Sequence, residues 1–390
     1  MALFETDARA GSARAGVLRL AHGEVQTPAF VPLASNASVR GLDAPEVAAL
    51  GYEMVLGNTF HLLIEPGHKH IAEMGGLHEF MGWSGPIITD SGGFQVFSMG
   101  HGSVADEIKR RRGTSQSRIL SIEEEGVRFR AYTDGTELFM GPETSMEIQA
   151  ALGSDIALAF DECTPFHVDR EYTRRSMDRT HRWLDRCVAW HSEHAPEGQA
   201  LYGIVQGGVE EDLRAESAAY VAGAGCAGIA IGGSLGQEKA QMREVLGWSL
   251  RDLPDEPPRH LLGIGDVDDI VHAVGEGVDT FDCATPTRLA RHGTALVPVP
   301  SERWRLDLTK ADQRGSTAPL VEGCPCEACT SHSRGYLHYL ARGRELTGAR
   351  LLTLHNLTFM AELMRGLREA ILQGRYAEHA ERVLAGDEPF

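Results

Sequence analysis

Eight short apolar runs, rich in Val, Ile and Leu, recur through the first 290 residues: AFVPL at 29, EMVLGN at 53, PIITD at 86, IALAFD at 156, LYGIVQ at 201, GIAIGG at 228, HLLGIG at 260 and DTFDC at 279. Near-continuous runs of this length suit strands of a parallel sheet covered on both faces, where neither side of the strand meets water. The segments between them carry helix signals, such as Asp43 ahead of APEVAAL with Gly51 behind it, a capping residue before an apolar stretch and a glycine after it. Eight such units predict an α/β fold closed as a (β/α)8 TIM-type barrel. Ahead of the first barrel strand, VLRLAHGEVQT reads as a hairpin turning at His22 and Gly23, placed to plug the barrel floor.

Beyond residue 290 the rhythm breaks into ALVPVPSERW, a cysteine cluster and a helical tail with Met360, Leu363, Leu367 and Ile371 at helix spacing. The expected organisation is therefore a barrel with its N-terminal hairpin over 1–290, a small zinc-binding subdomain over 291–355, and C-terminal helices over 356–390 that pack on the barrel.

Most of the apolar runs end in a polar or glycine residue: Asn58, Asp90, Asp161, Gln206, Gly233, Gly265 and Asp282. A single polar strand end is unremarkable, because loops are wet. In a barrel, however, these ends converge on one face, and three carboxylates and an amide on one rim describe a pocket able to move protons.

Composition narrows the setting. At 390 residues, 42% hydrophobic and 24% charged, the chain has the make-up of an ordinary soluble protein. It shows no signal-peptide core and no run of the ~18 apolar residues that a membrane helix needs, so a cytoplasmic location and no membrane partner are expected. There, seven cysteines are thiols, metal ligands or apolar fillers rather than disulfides. The net charge of −18 argues against broad attraction to nucleic acid. The stretch Pro286–Arg350 differs, with ten Lys or Arg against six Asp or Glu, so it carries +4 while the remainder carries −22. A polyanion could dock there.

CPCEAC places Cys324, Cys326 and Cys329 within six residues. Three sulfurs and one imidazole would close a tetrahedron of the kind that holds one structural Zn2+. His355, expected at the start of a helix, is the preferred fourth ligand, with His332 and His338 as competitors.

Across nearly the whole chain, TPAFVPLAS, GNTFHL, EPG, GGLHEFMGW, TDSGGFQVFS, EEGVRF, GSDIALAFDECTP, YGIVQGG, FDCATPTR, CPCEAC and GARLLTLHNL together resemble the bacterial tRNA-guanine transglycosylases, which exchange guanine in the anticodon for a deazaguanine. The resemblance implies roles. Asp282 would attack the anomeric carbon of the wobble nucleotide and hold the RNA covalently, and Asp90 would take a proton from the incoming base. Asp161 would accept from the donor edge of a guanine-type base, Gln206 and the backbone N–H of Gly233 would reach O6, and Phe94 would stack on the ring. Ser91, Gly92, Gly93, Cys163, Gly232 and Leu262 would complete the base pocket.

Contact with the tRNA anticodon loop would fall on Gly263, Ile264, Gly265, Asp266, Val267, Asp268 and Asp269, and on Thr287, Arg288, Leu289, Ala290 and Arg291, with Arg303, Arg305, Arg334 and Arg350 as further candidates. A homodimer is also implied. Three features depart from the family pattern: a shortened loop over 233–237 beside the deazaguanine substituent, a long segment over 96–123 carrying KRRR at 109–112, and Phe94 in place of tyrosine. The expected activity is exchange of the wobble guanine of GUN-anticodon tRNAs for 7-aminomethyl-7-deazaguanine (preQ1). Queuine as the incoming base, a noncatalytic tRNA-binding role and a carbohydrate glycosidase are the alternatives.

Overall fold

In the computed structural model, which describes residues 2–100, 118–164, 168–233, 235–236, 238–387 and 389, the chain opens with three antiparallel strands, β1 (Phe4–Ala10), β2 (Ala13–Leu20) and β3 (Gly23–Thr27). The β2–β3 turn is the hairpin read from VLRLAHGEVQT. Eight strands then close into a barrel. The first three are β4 (Ala29–Ala34), β5 (Val55–Gly57) and β6 (Ile87–Thr89).

An antiparallel sheet, β7 (Ile119–Ile122), β8 (Val127–Arg130) and β9 (Glu137–Met140), interrupts the sequence before the barrel resumes with β10 (Ile156–Leu158), β11 (Ala200–Val205), β12 (Gly228–Ile231), β13 (Arg259–Leu261) and β14 (Thr280–Cys283). Parallel pairing of β14 with β4 closes the ring. Each of the eight apolar runs supplies one barrel strand, and the TIM-type fold class holds. The β7–β9 sheet has no counterpart in the sequence reading. The KRRR run lies outside the described residues.

Side chains alternate across each strand. Val31, Leu56, Ile88, Ile156, Leu158, Tyr202, Ile204 and Ala230 fill the barrel interior, and Phe4, Leu18 and Val25 of the N-terminal sheet join the same cluster and seal it. Phe30, Val55, Ile87, Leu201, Val205, Ile229, Leu261 and Phe281 belong to the larger outer core beneath the helices. Both faces being buried explains why the strands carry no polar alternation. Two residues beyond the inner positions Ile88, Ile204 and Ala230 stand Asp90, Gln206 and Gly232. Asp282 follows Thr280 in the same way. Strand periodicity therefore delivers the polar strand ends to the mouth of the barrel.

Asp43 caps the helix Ala44–Ala49 in a reciprocal box with Glu46, and Gly51 follows at positive φ. After the barrel come the helix Thr285–Arg291, the hairpin strands β15 (Thr294–Leu296) and β16 (Arg305–Asp307), and the cysteine cluster. The helix Leu346–Leu372 buries Met360, Leu363, Leu367 and Ile371 as expected. It begins earlier than the sequence suggested, so His355 lies in its interior and the boundary drawn between 355 and 356 falls mid-helix. Asn356, one residue on, points its side chain out of the helix to neighbouring segments. Its amide accepts from Leu296 N at 2.7 Å and donates to Pro286 O at 2.9 Å and Thr294 O at 3.0 Å, fastening the cysteine module to the end of the barrel. Among the described residues no helix is long and apolar enough to cross a membrane.

Candidate active site and metal centre

Asp90 follows β6 and is gripped on both oxygens. Thr59 N donates to Oδ1 at 2.8 Å, and the Asn58 side-chain amide donates to Oδ2. Burial pushes its carboxyl up to about 7, an effect opposed by the backbone N–H of Thr59 and reinforced by the negative charge of Asp282. Asp90 and Asp282 therefore sense each other, although β6 and β14 are far apart in sequence. A carboxyl poised near neutrality is suited to accept and return a proton.

Asp282 is 7% exposed, at the end of β14. Its Oδ1 accepts from the backbone N–H of Gly263 at 3.1 Å and lies 3.1 Å from His260 Nε2. His260 is fully buried on β13, and its other ring nitrogen lies 2.8 Å from Thr280 Oγ1. Among the described residues no hydrogen bond reaches Oδ2 of Asp282, which leaves one oxygen held and the other available.

Asp161 is 5% exposed and sits within reach of both Ser91 and Gln206. Ser91 Oγ donates to Oδ1 at 2.8 Å and Gln206 Nε2 donates to Oδ2 at 2.6 Å. Burial raises its carboxyl to about 6 despite these donors. The backbone N–H of Gly233 donates to the Cys163 sulfur, whose thiol burial pushes up to about 12. The sequence assigned the Gln206 amide and the Gly233 N–H to a bound base, and here they satisfy protein partners instead. A base entering the pocket must exchange these bonds for its own, and a base lacking matching groups would leave buried polar atoms unpaired.

Two glycines make the approach possible. A Cβ on Gly93 would stand 2.4 Å from Asp161 O, and Gly92 holds φ +79 beside the Met140 sulfur. Any larger residue at 93 would push the Asp161 strand end away. Phe94 is 49% exposed, so one face of its ring is free to receive a flat ligand. Gly232 and Leu262 line the inner face next to Gln206 and Ile204.

Beneath the pocket lies Arg214, fully buried. Its guanidinium donates to Val205 O at 3.2 Å, Gly208 O at 2.7 Å and Gly232 O at 2.8 Å, clamping the ends of β11 and β12 that present Gln206 and Gly233. Burial lowers its pKa to about 10. Grooves of about 490 Å3 beside Tyr52 and Arg368 and about 580 Å3 beside His338 and Tyr339 lie elsewhere, and none of the three rim carboxylates lines them.

The stretches expected to meet RNA divide by burial. Gly265, Val267, Asp269, Thr287 and Ala290 are buried and serve as supports. Asp266 accepts from Arg305 at 2.7 Å and Arg303 at 3.3 Å, while Lys239 Nζ lies 2.5 Å from Asp268 and 3.0 Å from Asp269, so these acids are neutralised within the protein. Ile264 and Leu289 pack partly buried against the outer core. Arg350 pairs with Glu46 and Glu327, and Arg334 donates to Pro319 O and Leu320 O. These arginines have structural partners.

Arg288 and Arg291 remain exposed, and the charges of Arg40 and Arg288 help lower the Arg291 pKa, after burial. Among the described residues none of Arg40, Arg288 and Arg291 is paired with a carboxylate. Three like charges this close are costly unless an anion joins them. The sequence reading missed Arg40, Asn58 as an Asp90 partner, and His260.

At the cysteine cluster, His355 Nδ1 lies 3.6, 3.5 and 3.4 Å from the sulfurs of Cys324, Cys326 and Cys329. Ligands of a tetrahedral zinc ion, with S and N at about 2.3 and 2.0 Å, stand roughly 3.5 Å apart. The spacing fits. His355 Nε2 donates to Leu296 O at 2.8 Å, which leaves Nδ1 unprotonated and aimed at the sulfurs. His338 instead bonds Leu308 O at 2.6 Å and His332 packs against the Tyr336 ring at a tilt, and neither belongs to the sulfur cluster. The set Cys324, Cys326, Cys329 and His355 can hold a metal ion.

Comparison with known proteins adds an independent line. The family model described as queuine tRNA-ribosyltransferase matches residues 8–388. A protein of Roseiflexus sp. (strain RS-1) named queuine tRNA-ribosyltransferase is 48% identical over 387 residues, covering 96% of this chain and 97% of its own. Proteins with the same name from Thiobacillus denitrificans and Pelotomaculum thermopropionicum are 45% and 44% identical, covering 97% and 95% of this chain and 96% and 94% of theirs.

Proposed function

Because the chain belongs to the queuine tRNA-ribosyltransferase family and is a tRNA-guanine ribosyltransferase, a glycosyltransferase-type enzyme, we propose that it exchanges the wobble guanine of GUN-anticodon tRNAs for 7-aminomethyl-7-deazaguanine through a ribosyl ester on Asp282. The observation that carries this reading is the pairing of Asp282, with one oxygen anchored and one free, against Asp90, whose carboxyl stands near 7.

In the first displacement Oδ2 of Asp282 bonds to C1′ as the C1′–N9 bond breaks; that bond's electron pair leaves on guanine N9, which takes up the proton of the Asp90 carboxyl. The carboxylate opposes the positive charge that develops on the sugar. In the second, the incoming base gives its N9 proton to Asp90, N9 bonds to C1′, and the C1′–Oδ2 pair returns to Asp282. Asp161 receives the N1–H and exocyclic amine of either base, Gln206 and Gly233 turn to O6, and Phe94 stacks. Arg40, Arg288 and Arg291 take phosphates of the anticodon loop. A splayed single-stranded base costs only a few kcal/mol to expose.

One zinc ion held by Cys324, Cys326, Cys329 and His355 would fill a closed coordination shell, so its contribution is to the fold of the module and not to the reaction.

The test is incorporation of labelled guanine into unmodified tRNA bearing a GUN anticodon, expected for this protein and lost on Asp282→Ala. Release of reducing sugar from oligosaccharides without tRNA exchange would instead favour a glycosidase. The name carried by the relatives makes queuine the competing base, and a higher kcat/KM for queuine than for preQ1 would reverse the assignment.

A further inference from the structure

We infer that His260 is a positioning residue for the nucleophile, acting through a relay from Thr280 to His260 to Asp282; the inference rests on the transglycosylase reading above. His260, Thr280 and Asp282 lie on the inner face of neighbouring strands, where Ala230, His260 and Thr280 are register partners. Ala230 is small, which gives the imidazole room inside a barrel filled mostly by aliphatic side chains and Tyr202.

The direction of the relay follows from hydrogen-bond capacity. A carboxylate oxygen only accepts, so Nε2 of His260 carries the proton that meets Asp282 Oδ1 at 3.1 Å. In the neutral ring Nδ1 then accepts, and the Thr280 hydroxyl, 2.8 Å away, donates to it. The ring is fully buried, so protein partners set its tautomer and tilt.

Together His260 and Gly263 place two donors on Oδ1 and none on Oδ2. The carboxylate is thereby turned so that Oδ2 faces the sugar. When C1′–Oδ2 forms, Oδ1 becomes the ester carbonyl oxygen and keeps both donors. When that bond breaks in favour of the incoming N9, the electron pair returns to a carboxylate whose charge the same two donors stabilise. The pair of donors thus assists departure of the enzyme from the sugar, the step on which turnover depends. An aliphatic residue at 260 would leave Oδ1 of Asp282 held by Gly263 N–H alone, its orientation less fixed and its charge less stabilised.

The experiment is steady-state guanine exchange into tRNA by wild type, His260→Ala, His260→Gln and Thr280→Val, with thermal melting to establish that each is folded. Loss of one hydrogen bond to a charged group corresponds to roughly ten- to hundredfold. His260→Ala is expected to lose that much in kcat, with KM for guanine and for tRNA within about twofold of wild type. His260→Gln, whose amide N–H can replace Nε2–H, is expected to recover most of it. Thr280→Val, with the imidazole retained, is expected to lose several-fold in kcat alone.

Equal kcat for His260→Gln and His260→Ala, or parallel changes in kcat and KM, overturns the inference. An unchanged kcat in Thr280→Val does so too, and this arm stands even if His260→Ala fails to fold. Absence of exchange by the wild-type protein would instead overturn the functional reading and is distinguishable from these outcomes.

Discussion

The charge of Asp282 raises the pKa of Asp90 across the mouth of the barrel. The two side chains follow β6 and end β14, strands separated around the barrel by β4 and β5, and each is held by its own set of donors, so the coupling is electrostatic and not a shared hydrogen bond. Asp282→Asn removes the charge and leaves the shape. The Asp90 titration midpoint, followed by carboxyl carbon NMR, is then expected to fall below its wild-type value near 7. A midpoint that stays or rises would show that the carboxylates do not interact.

The same shift sets the pH response of the reaction. Asp90 must be ionised to take the N9 proton, so kcat/KM for the incoming base is expected to climb as pH rises through about 7, after Asp161 has ionised near 6. A profile flat from pH 5.5 to 8 would remove Asp90 from the proton transfer.

Stability should move the other way. The folded-state pKa of Asp90 is raised, so the folded protein binds this proton more tightly than the unfolded chain does, and the wild type loses stability as pH climbs from the ordinary carboxylate range to about 7. Asp90→Asn lacks that penalty. The difference in Tm, variant minus wild type, is expected to grow from pH 5 to pH 8. The contribution has an order-of-magnitude ceiling of ~4 kcal/mol, from about three pKa units at 1.36 kcal/mol each. A Tm difference that does not change with pH would contradict the buried, raised carboxyl.

Arg40, Arg288 and Arg291 stand exposed without carboxylate partners among the described residues. Replacing Arg40 with Ala is expected to weaken tRNA binding several-fold and to lower the magnitude of the salt slope by roughly one. Binding of free guanine should not change. An unaltered salt slope would place the RNA backbone elsewhere.

The barrel was legible because each strand is a short apolar run with a polar end, and period-two alternation then carries Asp90, Gln206 and Asp282 to one rim. The sheet β7–β9 is not legible because ILSI, VRFR and ELFM are partly exposed strands that lack the continuous apolar character of the barrel strands. Arg40 and Arg291 come together only through the closing of the barrel by β14 and β4, and no local pattern records that. His260 sits inside an apolar run, where a histidine reads as filler until its two ring nitrogens are seen to touch Thr280 and Asp282. The apolar stripe from Met360 onward marks only the later part of the helix Leu346–Leu372, so its start lies ahead of what the stripe reveals.

Zinc release is expected on Cys326→Ala, with loss of one metal equivalent and of cooperative melting. A closed site of this kind contributes roughly 10 kcal/mol or more when metal binding and folding are linked. Full metal content in that variant would contradict the ligand set.

The bond between Asp282 and ribose is the central step of the proposed reaction. Incubating the protein with unmodified tRNA, denaturing, and separating RNA-linked from free polypeptide tests it directly. A denaturant-resistant adduct is expected with wild type, discharged on adding guanine and absent with Asp282→Asn. An adduct that persists in Asp282→Asn would assign the nucleophile to another residue and contradict the mechanism.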